Sequence, residues 1–324
     1  MITLHNLDKL DKKIINELNK NPRTNYSEIA KKIKSSKEVV NYRIKNLESI
    51  GIIKEYVTIF GFGYQAHKTY LKFQKINTKE EEKLIQFLLS LKNINWITTC
   101  SGNWDLAFSI MTKNAFELDK TLREIFTEFP NVIQDYKIST SLGSITFGYT
   151  NLTESINENA KKIRYDESNY LDFDNKDKEI AKLLHKNARI KITEISKLTK
   201  IPGDTINYRI KKMEKNKIIK RYRLIIDYTK LGYNRFEILI RCTNLTNKII
   251  EKFEEYAKIK PEIEYITKYV GAWDVELTVN LKSNLELRNF VIDLKKNFQE
   301  NINNLEIITL YETKNYTYYP LELL

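Results

Sequence analysis

The chain has 324 residues, 42% of them hydrophobic and 30% charged, with a net charge of +12. That length allows two to four domains of roughly 100 to 200 residues. Its two cysteines, Cys100 and Cys242, are too few for a disulfide framework and fall in apolar runs, which predicts buried thiols and a reducing compartment. No apolar run approaches the roughly 20 residues that span a bilayer, and no signal-peptide stretch opens the sequence, so a membrane protein is set aside and a cytoplasmic location is expected.

The charge is not spread evenly. Residues 1–56 hold 12 Lys and Arg against 7 Asp and Glu, and residues 171–223 hold 16 against 7. Their net charges of +5 and +9 exceed the total of +12, so the rest of the chain is slightly acidic. A basic excess confined to two short segments is the electrostatic footprint of a phosphate-backbone ligand.

The same two segments repeat each other. Asn41-Tyr42-Arg43-Ile44-Lys45 returns as Asn207-Tyr208-Arg209-Ile210-Lys211, and at the same offset Asp11 matches Asp177, Arg23 matches Arg189, Ile29 matches Ile195 and Tyr56 matches Tyr222. A further echo pairs Gly102-Asn103-Trp104-Asp105 with Gly271-Ala272-Trp273-Asp274. The repeat covers about half the chain, a domain-sized duplication rather than a solenoid period.

In chain order, Leu10, Ile14, Ile15 and Leu18 recur at helical spacing until Asn21-Pro22 stops the helix. Asn25 with Glu28 forms a variant capping box for a second short helix, and Ser36 caps a third, which Gly51 closes. Three helices with a tight second turn predict a helix-turn-helix. In the second copy Pro202-Gly203 replaces Ser36-Lys37, and Lys217 replaces Gly51. At 100° per residue, Val40, Ile44 and Leu47 point inward. Lys37, Glu38, Asn41, Tyr42 and Lys45 face outward or flank, and Arg43 lies nearer the inner stripe. In the second copy Ile206, Ile210 and Met213 are inward, while Asp204, Asn207, Tyr208, Lys211 and Lys212 face a groove, with Arg209 again nearer the inside. Asn pairs with adenine, Lys reaches guanine or phosphate, and Tyr donates to phosphate or packs on a thymine methyl. For Arg43 and Arg209, phosphate contact and a structural ion pair are both open.

Downstream the periodicity predicts strands at 69–76, 94–101, 104–111 and 132–145 and helices at 80–92 and 115–129. The second half predicts strands at 235–243, 263–270, 274–280 and 302–311 and helices at 246–258 and 284–299. This is β-α-β-β-α-β twice, a ferredoxin-like sheet with both helices on one face and the other needing a cover, for which a partner sheet is the obvious candidate. The fold class is therefore α+β, a tandem repeat of a helix-turn-helix and a ferredoxin-like βαββαβ domain. The expected domains are 1–56 and 171–222 (DNA-binding), 57–150 and 223–324 (αβ), with a linker at 151–170.

The helix-turn-helix with Leu10-Asp11 at its start, Asn41-Tyr42-Arg43-Ile44 in its third helix and Gly51-Ile52-Ile53-Lys54 at its exit, followed by a βαββαβ domain with Gly102-Asn103-Trp104-Asp105 at its hairpin, resembles the Lrp/AsnC, or feast/famine, regulators. The resemblance covers nearly the whole chain, twice over. It implies a transcription regulator that binds double-stranded DNA as a homo-oligomer, with αβ domains that pair through their sheets and take an amino-acid or related small-molecule effector there. Gly102, Trp104, Asp105, Gly271, Trp273 and Asp274 are the candidate effector residues; the alternative is that the glycines permit the turn, the tryptophans pack and the aspartates cap. Two units in one chain leave pairing within or between chains open. The siroheme decarboxylases resemble the same two-domain unit, and their central hairpin carries histidine and arginine where this chain has Thr98-Thr99-Cys100 and Thr267-Lys268-Tyr269. His5, His67 and His185 are scattered and no metal-spaced cluster is present, so neither an enzyme nor a cofactor is expected; the other alternative is a ligand-binding or assembly module on the same fold that does not bind DNA.

Overall fold

The structure, a computed structural model, describes residues 4–153, 161–164 and 173–316. The first copy contains α1 (Lys9–Lys20), α2 (Tyr26–Ile33), α3 (Lys37–Ser49), β1 (Ile53–Phe60), β2 (Gln65–Phe73), α4 (Thr78–Ser90), β3 (Ile94–Ser101), β4 (Leu106–Thr112), α5 (Ala115–Glu128) and β5 (Ile133–Thr146). A short turn α6 (Thr150–Thr153) and strand β6 (Lys161–Arg164) follow. The second copy contains α7 (Asn175–Lys186), α8 (Ile192–Thr199), α9 (Gly203–Lys215), β7 (Ile219–Ile226), β8 (Asn234–Cys242), α10 (Asn247–Ile259), β9 (Ile263–Gly271), β10 (Val275–Leu281), α11 (Asn284–Phe298) and β11 (Ile302–Tyr316). Apart from α6 and β6, the segment expected as a polar linker lies outside the described residues.

Two compact units result, and each draws on both copies. One contains the described residues of 1–62, 147–160 and 167–233, and the other those of 63–146, 161–166 and 234–324. In the first, both helix-turn-helix modules meet through β1 and β7, strands that the sequence reading did not assign and that the expected boundaries at 56 and 222 would cut. Ile52 to Phe60 is rich in β-branched and aromatic residues, which favour strand. The antiparallel register places Val57 opposite Arg223, its own counterpart in the repeat. A local two-fold axis therefore passes through that pair. Ile14, Leu18, Ile29, Val40, Ile44 and Leu47 pack with Leu224 and Ile226 in one core, to which Tyr149 and Leu152 add a strap.

In the second unit each βαββαβ module forms the expected four-stranded order, β5-β2-β4-β3 and β11-β8-β10-β9. The long fourth strands join the two. β5 pairs with β2 through Ile133–Thr140 and with β9 through Ser139–Thr146. β11 pairs with β8 through Ile302–Leu310 and then with β3 through Thr309–Tyr316. The nine strands are thus one sheet in which all but β6 close into a ring. The αβ modules pair within the chain.

Alternation along each strand sorts the side chains. On the outer face Leu71, Ile97, Leu106, Phe108 and Ile110 pack with Leu84, Leu88 and Ile125 of α4 and α5; in the second module Phe253 of α10 stacks on Phe298 of α11 with ring centroids 3.9 Å apart. On the inner face Tyr70, Cys100, Trp104 and Ala107 of the first module pack with Leu239, Trp273, Ile308 and Leu310 of the second.

The hairpin glycines are dictated by this closure. Gly271 has φ +138°, and a Cβ there would stand 2.5 Å from the Ile138 carbonyl oxygen and 2.9 Å from Ser139 Cα; Gly102, at φ +121°, would meet the Ile307 carbonyl oxygen at 2.7 Å. Both obstacles are backbone and cannot swing aside. Gly271→Ala is expected to cost roughly 2–3 kcal/mol through overpacking and strain, measured as a lowered urea midpoint with the folded spectrum retained.

Candidate nucleic-acid interface

The first helix of each helix-turn-helix is capped by the same local chemistry. Asp8 caps α1, accepting from Leu10 and Asp11 N–H, while Asp11 reaches back to Asp8 N–H in a capping box. Asp174 and Asp177 repeat the arrangement at α7. At α2 only half of the expected box forms: Asn25 accepts from Glu28 N–H, while the Glu28 carboxylate pairs with Lys32 at 3.1 Å. Ser36 caps α3 as expected. α8 and α9 follow Lys191 and Pro202 at their cap positions and have no side-chain cap. The tight turns run through Lys34 and Lys200, both left-handed. Lys217 adopts φ +56° where the first copy has Gly51 at +76°.

The third helices place the inward residues as expected: Val40, Ile44, Leu47, Ile206, Ile210 and Met213 are buried. Tyr42 and Tyr208 are each 68% exposed. Lys37, Glu38, Lys45, Asp204, Asn207 and Lys211 are also exposed, and Asn41 and Lys212 half-buried. These residues form one outward face on each helix.

Arg43 and Arg209 stand apart from that face. Arg43 Nη1 lies 2.6 Å from Asp8 Oδ2 and 3.4 Å from Asp11 Oδ1; Arg209 Nη1 lies 2.8 Å from Asp174 and 2.9 Å from Asp177. Each arginine ties the third helix to the cap of the first. Backbone N–H donation and the arginine hold Asp8 and Asp174 below the usual carboxylate range. The contribution of these carboxylates to stability is therefore present above their ordinary pKa and lost as pH falls below it. Arg209→Ala strands the nearly buried Asp177. A loss of roughly 1–3 kcal/mol is expected, read by thermal unfolding, with the salt dependence of DNA binding left as in the unsubstituted chain.

The two modules are joined by reciprocal contacts. The Arg23 guanidinium donates to the Ala188 carbonyl and lies 5.2 Å from the Tyr222 ring. Arg189 donates to the Pro22 carbonyl and lies against Tyr26 and Tyr56. The Tyr56 and Tyr222 hydroxyls donate to Glu48 and Glu214 at the ends of α3 and α9, each at 2.7 Å. These four residues were visible in the sequence only as repeat matches; the packing gives them their role. They fix both third helices to one β1–β7 ribbon.

The hairpin residues expected to receive an effector have partners within the fold. Asp105 accepts from Phe73 N–H at 2.8 Å, and Asp274 accepts from Cys242 N–H at 2.8 Å and from Arg241 at 3.0 Å. Trp104 Nε1 donates to Glu306 at 2.9 Å, Trp273 is buried, and the glycines meet backbone. These carboxylates terminate the hairpin by bonding the end of the neighbouring strand. His67 is also engaged, with Nδ1 and Nε2 each 2.9 Å from the Thr140 and Thr112 hydroxyls; burial lowers its pKa. Among the described residues no group of acidic, His and Cys side chains could hold a metal, and no helix is long and apolar enough to cross a membrane.

Two helix-turn-helix modules with strand wings, fixed to one ribbon and followed by paired βαββαβ modules, define a double winged helix-turn-helix protein. A winged helix-turn-helix DNA-binding family model matches residues 7–54 and again 173–220. An uncharacterized HTH-type transcriptional regulator of Pyrococcus furiosus is 31% identical over 145 residues, covering 45% of this chain and 96% of the relative. Regulatory protein AsnC of Haemophilus influenzae is 30% identical over 122 residues, covering 37% and 81%. The chain belongs to the Lrp/AsnC family of DNA-binding transcription regulators and carries two family units in tandem. Over its whole length its fold is similar to the siroheme decarboxylase NirDL, with a TM-score of 0.64, 11% identity and coverage of 96% and 93%.

Proposed function

We propose that this regulator reads an asymmetric DNA site with two non-identical recognition helices, α3 and α9. The observation that carries the proposal is the reciprocal joining of the two modules on the β1–β7 ribbon, which leaves Tyr42 and Tyr208 equally exposed at the centres of the two outward faces. The shared Asn41, Tyr42, Lys45 and Asn207, Tyr208, Lys211 suit base edges and phosphates alike. The helix entries differ: Lys37-Glu38 in α3 stands where α9 has Gly203-Asp204. Paired modules of this kind read half-sites related by the protein's two-fold, and unequal side chains there demand unequal half-sites. Sequences selected from random duplex should be asymmetric, and binding should weaken steeply with salt. Recovery of strict palindromes overturns the reading.

Modulation by an amino acid or related small molecule is supported by family membership alone, because the hairpin carboxylates already have partners. A thermal-shift series with the individual amino acids tests it, a rise in Tm being the signature of a ligand that binds the folded state. Decarboxylase chemistry is the second reading, favoured by the whole-chain fold likeness. An anaerobic assay with siroheme separates it from regulation.

A further inference from the structure

Inside the closed ring, equivalent positions of the two copies carry opposite charges. Lys68 stands opposite Ser109 on β4, and Glu237 opposite Thr278 on β10, the same place in each module. Lys137 opposite Tyr70 and Glu306 opposite Leu239 are a second equivalent pair. Each residue faces its counterpart: Lys68 Nζ donates to Glu237 Oε1 at 2.5 Å, and Lys137 Nζ stands 3.8 Å from Glu306 Oε1. Glu276, where the first copy has Ala107, adds a second acceptor for Lys68 at 2.7 Å and for the Tyr70 hydroxyl at 3.0 Å. Lys68, Glu237 and Glu276 are all buried.

The inequality also explains a buried donor left over. Trp104 Nε1 finds Glu306, whereas Trp273, in the equivalent place, faces Lys137, which has no acceptor. Its Nε1 is buried without a partner among the described residues, and its ring lies 4.8 Å from the Lys137 ammonium instead. The pseudo-two-fold holds in backbone and breaks in charge.

We propose that these opposed charges are a pairing code, by which the inner face of a first-copy αβ module accepts only the inner face of a second-copy module. Joining two first-copy modules would set Lys68 against Lys68 and Lys137 against Lys137. Joining two second-copy modules would bury two pairs of Glu237 and Glu276 with no cation. An isolated buried charge is strongly disfavoured, so both like pairings are blocked and the chain satisfies the code with itself. Shape alone does not choose, since both modules share one fold and one closure geometry.

Charge reversal in the full chain tests the proposal. K68E/K137E makes both inner faces acidic, and E237K/E306K sets lysines against Lys68 and Lys137 with Glu276 left between them. Each double variant should unfold about 10 °C or more below the unsubstituted chain. The fourfold variant K68E/K137E/E237K/E306K restores opposition and should regain most of that loss. Co-expressed, the two double variants should form a folded complex with one chain of each, identified by native mass spectrometry. Doubles as stable as the unsubstituted chain, a fourfold variant no better than either double, or complexes of like chains only overturn the code. If the doubles fail to fold alone, the fourfold variant and the mixed complex still decide.

Discussion

Lys68→Met is expected to lower the stability of the αβ unit by about 3–5 kcal/mol, the cost of leaving buried carboxylates without their cation. The loss is concentrated above neutral pH. Burial and the neighbouring Glu276 already push the Glu237 carboxyl up to about 7. A folded-state pKa raised above the unfolded one favours the fold fully below the unfolded value and loses that contribution as pH rises through about 7. Removing the ammonium pushes the same carboxyl higher still, because of the cations that favour its ionised form only the weaker influence of Arg235 then remains. Urea unfolding at pH 5.5 and pH 8 measures the difference, which should be several-fold larger at the higher pH. An equal loss at both would assign the effect to lost packing. Glu237→Gln, which carries no titrating proton, should flatten the dependence between those values.

Asn41→Ala and Asn207→Ala should each weaken binding to the selected DNA site by about 1–3 kcal/mol, or roughly 5- to 150-fold, the range of a bidentate base contact. Each change should relax base preference in a different half of the site, because the two side chains belong to different helices. Lys45→Gln and Lys211→Gln should instead weaken all sequences alike and reduce the slope of log affinity against log salt by about one each. Quantitative binding to sites randomised in one half at a time provides the readout. An Asn41→Ala effect spread evenly over both halves would sink the assignment of one helix to one half-site.

Helices and most strands were legible in the sequence because their signals are local. Asn25 and Ser36 precede helices they cap, and alternation from Arg235 to Thr243 marks β8 almost residue for residue. The closing contacts were not legible, because they depend on where distant strands meet. Gly102 reads as a turn residue until the Ile307 carbonyl is found against it, and Asp105 reads as either a ligand group or a cap until the Phe73 N–H is found bonded to it. β1 and β7 escaped notice because each is a lone strand beside its own module and finds a ladder only in the other copy. Arg43 was ambiguous at 100° per residue, since a long side chain on a helix flank can turn either way; the capping aspartates decide it.

The long strands β5 and β11 also constrain how the chain comes to be folded. The Thr98 hydroxyl bonds the Glu312 carbonyl 214 residues away, so the ring cannot shut until β11 has been made. Until then the first αβ half stands with its two helices in place and one sheet face bare. Closure across such separations is slow, and bare sheet edges invite association with other nascent chains. A lysine ammonium in the middle of that face keeps it wetted while it waits. A charge on a bare sheet face works against such association, and Lys68 becomes a buried ion only once Glu237 and Glu276 arrive.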